Sequence, residues 1–221
     1  MSVQLDHEAP VASPTKPLMR GWLHLVGVFV LFGASPILFL KAHSWAQVGW
    51  ILFYVFGVGM MMGISAAFHR VNWNPVARRR MKRADHTGIF LAIVGSYLAL
   101  AGLTMHGTVR WVVIVLIVSG AIIGIGIRNF ALDAPKWANT LPYLVVSWTA
   151  LAVMPQIYTG GGPTAFAFVV AEGVAYSTGA AFYGTQRPKL NPRVFGYHEL
   201  FHACTILGAG CHFVALYFAL H

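Results

Sequence analysis

Seven apolar runs, each of roughly 17 to 24 residues, divide this chain from end to end, and about 20 such residues let a helix cross the hydrocarbon core of a bilayer. The runs are Trp22–Leu40, Ala46–Phe68, Thr87–Met105, Trp111–Ile127, Leu141–Tyr158, Pro163–Tyr183 and Tyr197–Leu220. The fifth carries Pro142 and Pro155 near its ends, where proline is tolerated. Composition points the same way. Of 221 residues, 57% are hydrophobic and only 10% are charged, too little polar surface to cover a domain in water. The expected fold is an all-α membrane protein: a seven-helix transmembrane bundle over residues 21–221, preceded by a flexible cytoplasmic tail over residues 1–20. That tail lacks a signal-peptide pattern, and the first run is too long for one, so it is expected to stay as a span. Cys204 and Cys211 fall on one helix, roughly 10 Å apart along its axis, too far for a disulfide. They read as small buried apolar residues.

The net charge of +9 raises the question of a nucleic-acid partner. Its distribution answers it: the cations lie in short loops between spans, with no basic face or aromatic platform, so no nucleic acid is expected. Lys16, Arg20, Arg70, Arg78, Arg79, Arg80, Lys82, Arg83, Arg128, Lys136, Arg187, Lys189 and Arg193 fall on one side of a seven-span threading, and Lys41 and Arg110 on the other. Positive loops stay inside, which sets the N-terminus in the cytoplasm and the C-terminus outside.

This orientation gathers the chemistry-bearing residues. His198 and His202 stand at i and i+4 at the start of span seven, one turn apart on one face, a spacing that lets two imidazoles share a metal. Ser65 and His69 have the same spacing at the end of span two, and Asp85-His86 precede span three. All then lie at one depth, near the cytoplasmic face. Three neutral imidazoles from His69, His198 and His202, with one open position, suit a zinc ion (Zn2+) holding a water whose pKa falls to about 7. Asp85 could hold that water as general base or orient a ligand from behind. Ser65 could donate a hydrogen bond to the water or to a substrate oxygen. The bland alternatives are a loop carboxylate balancing Arg80 and Arg83, and a serine bonded back to its own helix.

His198-Glu199-Leu200-Phe201-His202 also fits the HExxH pattern of zinc proteases, with Glu199 as general base. No acidic residue follows Glu199 to supply a third ligand, so His69 is the favoured third ligand and Glu199 is read as meeting the helix dipole. Glu172 is the one carboxylate in the middle of a span: a functional group, one half of a buried pair, or a protonated structural carboxyl. His212 lies roughly 15 Å from His202 by helix rise and cannot share that metal, so a hydrogen bond within the bundle is expected. His86 adjoins Asp85 and is either a wrong-register competitor for the site or pointed elsewhere by the first turn of span three. His7, His24, His43, His106 and His221 look peripheral.

Ser65-x-x-x-His69, Asp85-His86, and Gly196-x-His198-Glu199-x-Phe201-His202 followed by His212-Phe213 resemble the hemolysin III group. That group is the bacterial branch of the progestin and adipoQ receptor (PAQR) family, which is related to the alkaline ceramidases. The resemblance runs from about span one to the chain end. It implies a seven-helix bundle in the cytoplasmic membrane of a bacterium, zinc on the three histidines, Asp85 on the zinc-bound water and Ser65 lining the site. It also implies possible hydrolysis of lipid amides. One departure is Gly95-Ser96-Tyr97-Leu98-Ala99, where the family usually has a Gly-Thr-Tyr-Thr-Pro-like stretch, which puts the local shape of span three in question.

The expected function is therefore a zinc-dependent lipid amide (ceramidase-like) hydrolase. The alternative is a sensor or regulator of membrane homeostasis in which the zinc is structural. A cytolysin is disfavoured, because the chain has no switchable amphipathic segment. A zinc transporter is weaker still, since one site near one face is not a pathway.

Overall fold

The computed structural model describes residues 17–130, 135–191 and 193–220, and every regular element among them is a helix. The α-helices are α1 (Trp22–Lys41), α2 (Trp45–Arg70), α3 (Pro75–Thr104), α4 (Gly107–Phe130), α5 (Lys136–Trp148), α6 (Met154–Thr185) and α7 (Tyr197–Ala219). A 3-10 turn over Thr149–Val153 joins α5 to α6. Of the tail expected over residues 1–20, residues 1–16 lie outside the described residues.

Local chemistry sets several boundaries. Ser44 caps α2 by accepting from the Gln47 N–H at 3.3 Å. Asn74 caps α3 by accepting from the Ala77 N–H at 2.9 Å, with Pro75 in the first turn, where its missing donor costs nothing. α3 therefore begins twelve residues before its apolar run. Arg78 to Arg83 are good helix formers and extend the helix beyond the apolar segment. The stretch between the second and third apolar runs, residues 69–86, is mostly helical, its connection shrinks to residues 71–74, and Asp85 and His86 sit inside a helix rather than ahead of one. α3 also runs unbroken through Gly95–Ala99, so the missing proline leaves a continuous helix.

Neighbours in sequence pack as neighbours in space, α7 closes on α1, and α3 touches α6 and α7 across the bundle. α2 and α3 lie in the interior, with Tyr54, Val58, Phe90 and Ala99 fully buried. Their backbones meet closely: a Cβ on Gly95 would collide with the Phe53 carbonyl, and one on Gly57 with the Leu91 carbonyl. Small residues at such a crossing are how helices approach in lipid. Large apolar side chains such as Phe29, Phe56, Leu116, Ile122 and Ile123 point outward and are exposed. A water-soluble protein would not leave such a band uncovered, whereas lipid covers it.

Six helical segments among the described residues are long and apolar enough to cross a membrane. Five are single helices, and the other is the 46-residue stretch Thr140–Thr185. It doubles back on itself. Trp148 Nε1 donates to Ser177 Oγ at 3.3 Å, and Gly184 packs against Trp137, so the two legs run antiparallel. The reversal falls at Gly162, whose φ of 79° is the left-handed region glycine tolerates, with Pro163 next.

Candidate metal centre

α2 ends, α7 begins and α1 begins at the same end of the bundle, and that is where the site assembles. His69 sits in the last turn of α2, and His198 and His202 in the first two turns of α7. One ligand nitrogen from each lies within 4.8 Å of the others. His69 Nε2 and His198 Nε2 are 3.1 Å apart. Two nitrogens on one tetrahedral zinc at about 2.05 Å stand about 3.3 Å apart, so this pair already has the spacing and His202 needs only a small movement inward. His69 and His202 are buried and His198 is half-buried. Three imidazoles whose nitrogens gather this closely form a donor set that can hold a metal ion.

The carboxylate and hydroxyl singled out from sequence stand beside this cluster. Asp85, on α3, takes a side-chain hydrogen bond from Ser65, one turn before His69 on α2. Ser65, Asp85, His198 and His202 all line one cavity of about 590 Å³, whose wall is mostly apolar. That is the size and character of a small-molecule pocket. His86 does not compete for the ligand position. It turns toward α4, where the buried Arg128 guanidinium lies 3.1 Å from His86 Nδ1.

His24 corrects the expectation of a peripheral residue. It is 2% exposed and stacks on His202, with ring centroids 3.9 Å apart and planes 6° from parallel. Neither of its ring nitrogens has a hydrogen-bond partner. Alone in an apolar run it carried no local pattern, and only the packing of α1 on α7 brings it to the site. His43 and His106 are exposed, as expected.

Glu199 does more than meet a dipole. It is 1% exposed, accepts from the Gly196 N–H at 2.7 Å and pairs with Arg20, on the segment before α1. That segment is pinned by backbone bonds from Leu18 N–H to Arg193 O and from Met19 N–H to Val194 O, at 3.0 and 3.1 Å. The entry to α7, and with it His198, is held from both sides. With its carboxylate so engaged, Glu199 is a poor fit to the general base of the protease pattern. Deeper in the bundle Glu172 pairs with His212, which bears out the hydrogen bond expected of His212. Cys204 and Cys211 are free and half-buried.

Comparison with known proteins adds a family. A family model described as Haemolysin-III related matches residues 12–213. The chain is 25% identical over 198 residues to Hemolysin-3 of Bacillus cereus, a match spanning 88% of this chain and 87% of that protein. It is 23% identical over 198 residues to the Hemolysin-3 homolog of Bacillus subtilis (strain 168), spanning 88% and 90% respectively.

Proposed function

The chain belongs to the Haemolysin-III related family, and from that premise we propose that it is a zinc-dependent hydrolase of lipid amides in a bacterial cytoplasmic membrane. It is an integral membrane protein whose apolar outer surface requires a bilayer. The single observation that carries the proposal is the donor set of His69, His198 and His202 at one end of an apolar cavity, with the Asp85–Ser65 pair on the same wall. A structural metal needs no cavity and no carboxylate beside it.

In this reading His69, His198 and His202 would hold the zinc through their ring nitrogens. When bound, the zinc supplies a Lewis acid and brings the pKa of its water to about 7. Asp85 accepts the proton as water attacks the amide carbonyl and returns it to the leaving amine. Ser65 holds the Asp85 carboxylate in place by its hydrogen bond. The apolar wall takes the acyl chain and excludes bulk water. His24 backs His202 by stacking and keeps its ring from swinging away. With the antiparallel legs of Thr140–Thr185 counted as two crossings, the chain spans the membrane seven times, N-terminus inside and C-terminus outside.

Two measurements on detergent-purified protein test this. Elemental analysis is expected to find about one zinc per chain, lost in His198→Ala. A fluorescently labelled N-acyl lipid is expected to release its fatty acid with wild type and not with His69→Ala. Release that persists in His69→Ala would sink the hydrolase reading. Bound zinc with no release from any N-acyl lipid would make the metal structural.

A further inference from the structure

The cavity beneath the histidine cluster has a second polar end. Glu172 in the middle of α6 and His212 in the middle of α7 meet there, His212 Nδ1 lying 2.7 Å from Glu172 Oε2. Both line the cavity. Tyr54 stacks on His212 at 5.1 Å, but its hydroxyl donates to the Ala209 carbonyl at 2.7 Å and offers the imidazole nothing. His212 is 2% exposed, and its Nε2 is buried without a partner.

A carboxylate and an imidazole in mid-membrane are costly, and a purely structural pair would satisfy all its polar atoms. Here one ring nitrogen is left over in a side chain that borders the cavity. With Glu172 ionised, its carboxylate can only accept, so Nδ1 carries the proton and the neutral ring keeps its Nε2 lone pair as an acceptor. A hydroxyl is the group that suits it: it donates to neutral Nε2, and it can accept instead should the ring carry a second proton. Between the two polar ends Met61, Ile89, Ala92 and Ile93 make an apolar wall. His202 and His212 are ten residues apart on α7, about 15 Å by helix rise, a span that an extended chain covers in roughly a dozen bonds.

We propose that the cavity selects lipid chains bearing a mid-chain hydroxyl, received by Nε2 of the Glu172–His212 pair while the chain's carbonyl end sits at the histidine cluster. The placement of the carbonyl end rests on the function proposed above. The mid-chain site itself rests on the geometry of α6 and α7.

The test is binding, without turnover. Zinc-loaded full-length protein in detergent is titrated with stearate or with hydroxystearate substituted at about the twelfth carbon, each displacing a fluorescent fatty acid. The mid-chain hydroxystearate is expected to bind about tenfold more tightly than stearate, the worth of one well-placed hydrogen bond. His212→Phe is expected to bind both equally, at the wild-type stearate affinity. Hydroxystearate substituted beside the carboxylate is expected to bind wild type no better than stearate, a comparison that needs no variant to fold. Equal binding of stearate and the mid-chain isomer overturns the proposal, as does an equal gain from the other isomer, a preference that survives in His212→Phe, or no binding of any of them. Failure of amide hydrolysis, by contrast, leaves a measured hydroxyl preference standing and counts only against the enzymatic reading.

Discussion

Asp85 and His24 make opposite demands on the site. Asp85 is bonded to Ser65 and shares a cavity with His198 and His202. If it moves the proton and is not a ligand, Asp85→Asn keeps the zinc and slows amide release by about 10²–10⁴-fold, the usual worth of a positioned acid–base group. Zinc content and release rate on the same preparation check this, and loss of zinc would make Asp85 a ligand instead. His24 offers a flat ring and no hydrogen bond. His24→Phe keeps the stack on His202 and is expected to leave zinc affinity unchanged. His24→Ala removes the support and is expected to weaken it about 10-fold, in the range for groups that orient a ligand from behind. Competition with a zinc-binding dye reads both.

Helices carry the site through their crossings. Ser65 reaches Asp85 because α2 and α3 touch backbone to backbone at Gly57 and Gly95. Gly95→Val forces the Phe53 carbonyl away and is expected to cost about 1–3 kcal/mol, as overpacking does. Thermal unfolding in detergent measures it, and a variant as stable as wild type would mean that α3 can shift without loss. The entry to α7 has its own clamp, in which Arg20 meets a Glu199 carboxylate buried almost completely. Arg20 is a quarter exposed, so the cost of Arg20→Ala is expected below that of breaking a fully buried pair, at about 1–3 kcal/mol.

At the scale of the whole molecule, the bundle joins a bilayer-facing shell to a cavity with polar groups at both ends. A metal bound only by the folded state stabilises it by mass action, about 2.7 kcal/mol at a free concentration a hundredfold above Kd. Chelation is therefore expected to lower the melting temperature of wild type and to leave His198→Ala unmoved. The threading is testable too. The proposed threading, with the N-terminus inside, would put residue 44, between α1 and α2, outside and residue 73, between α2 and α3, inside. In a background with Cys204 and Cys211 replaced, Ser44→Cys is expected to react with an impermeant thiol reagent in intact cells, and Trp73→Cys only after lysis.

Long apolar runs by themselves determined that this chain is a helical membrane protein, because in lipid a segment of that length and polarity has few other ways to satisfy its backbone. The i, i+4 pairs Ser65/His69 and His198/His202 were legible for a similar reason: within one helix, spacing alone decides which side chains share a face. What tertiary structure alone decided is how each helix is turned about its axis. A helix surrounded by lipid is apolar on every side, so its sequence lacks the amphipathic stripe that marks the inward face of a soluble helix. His24 therefore looked peripheral and His86 looked like a rival to Asp85. Packing of α1 on α7 set the first against His202, and packing of α3 on α4 turned the second to Arg128. The same rotation of α6 against α7 joined Glu172 to His212 across forty residues of sequence.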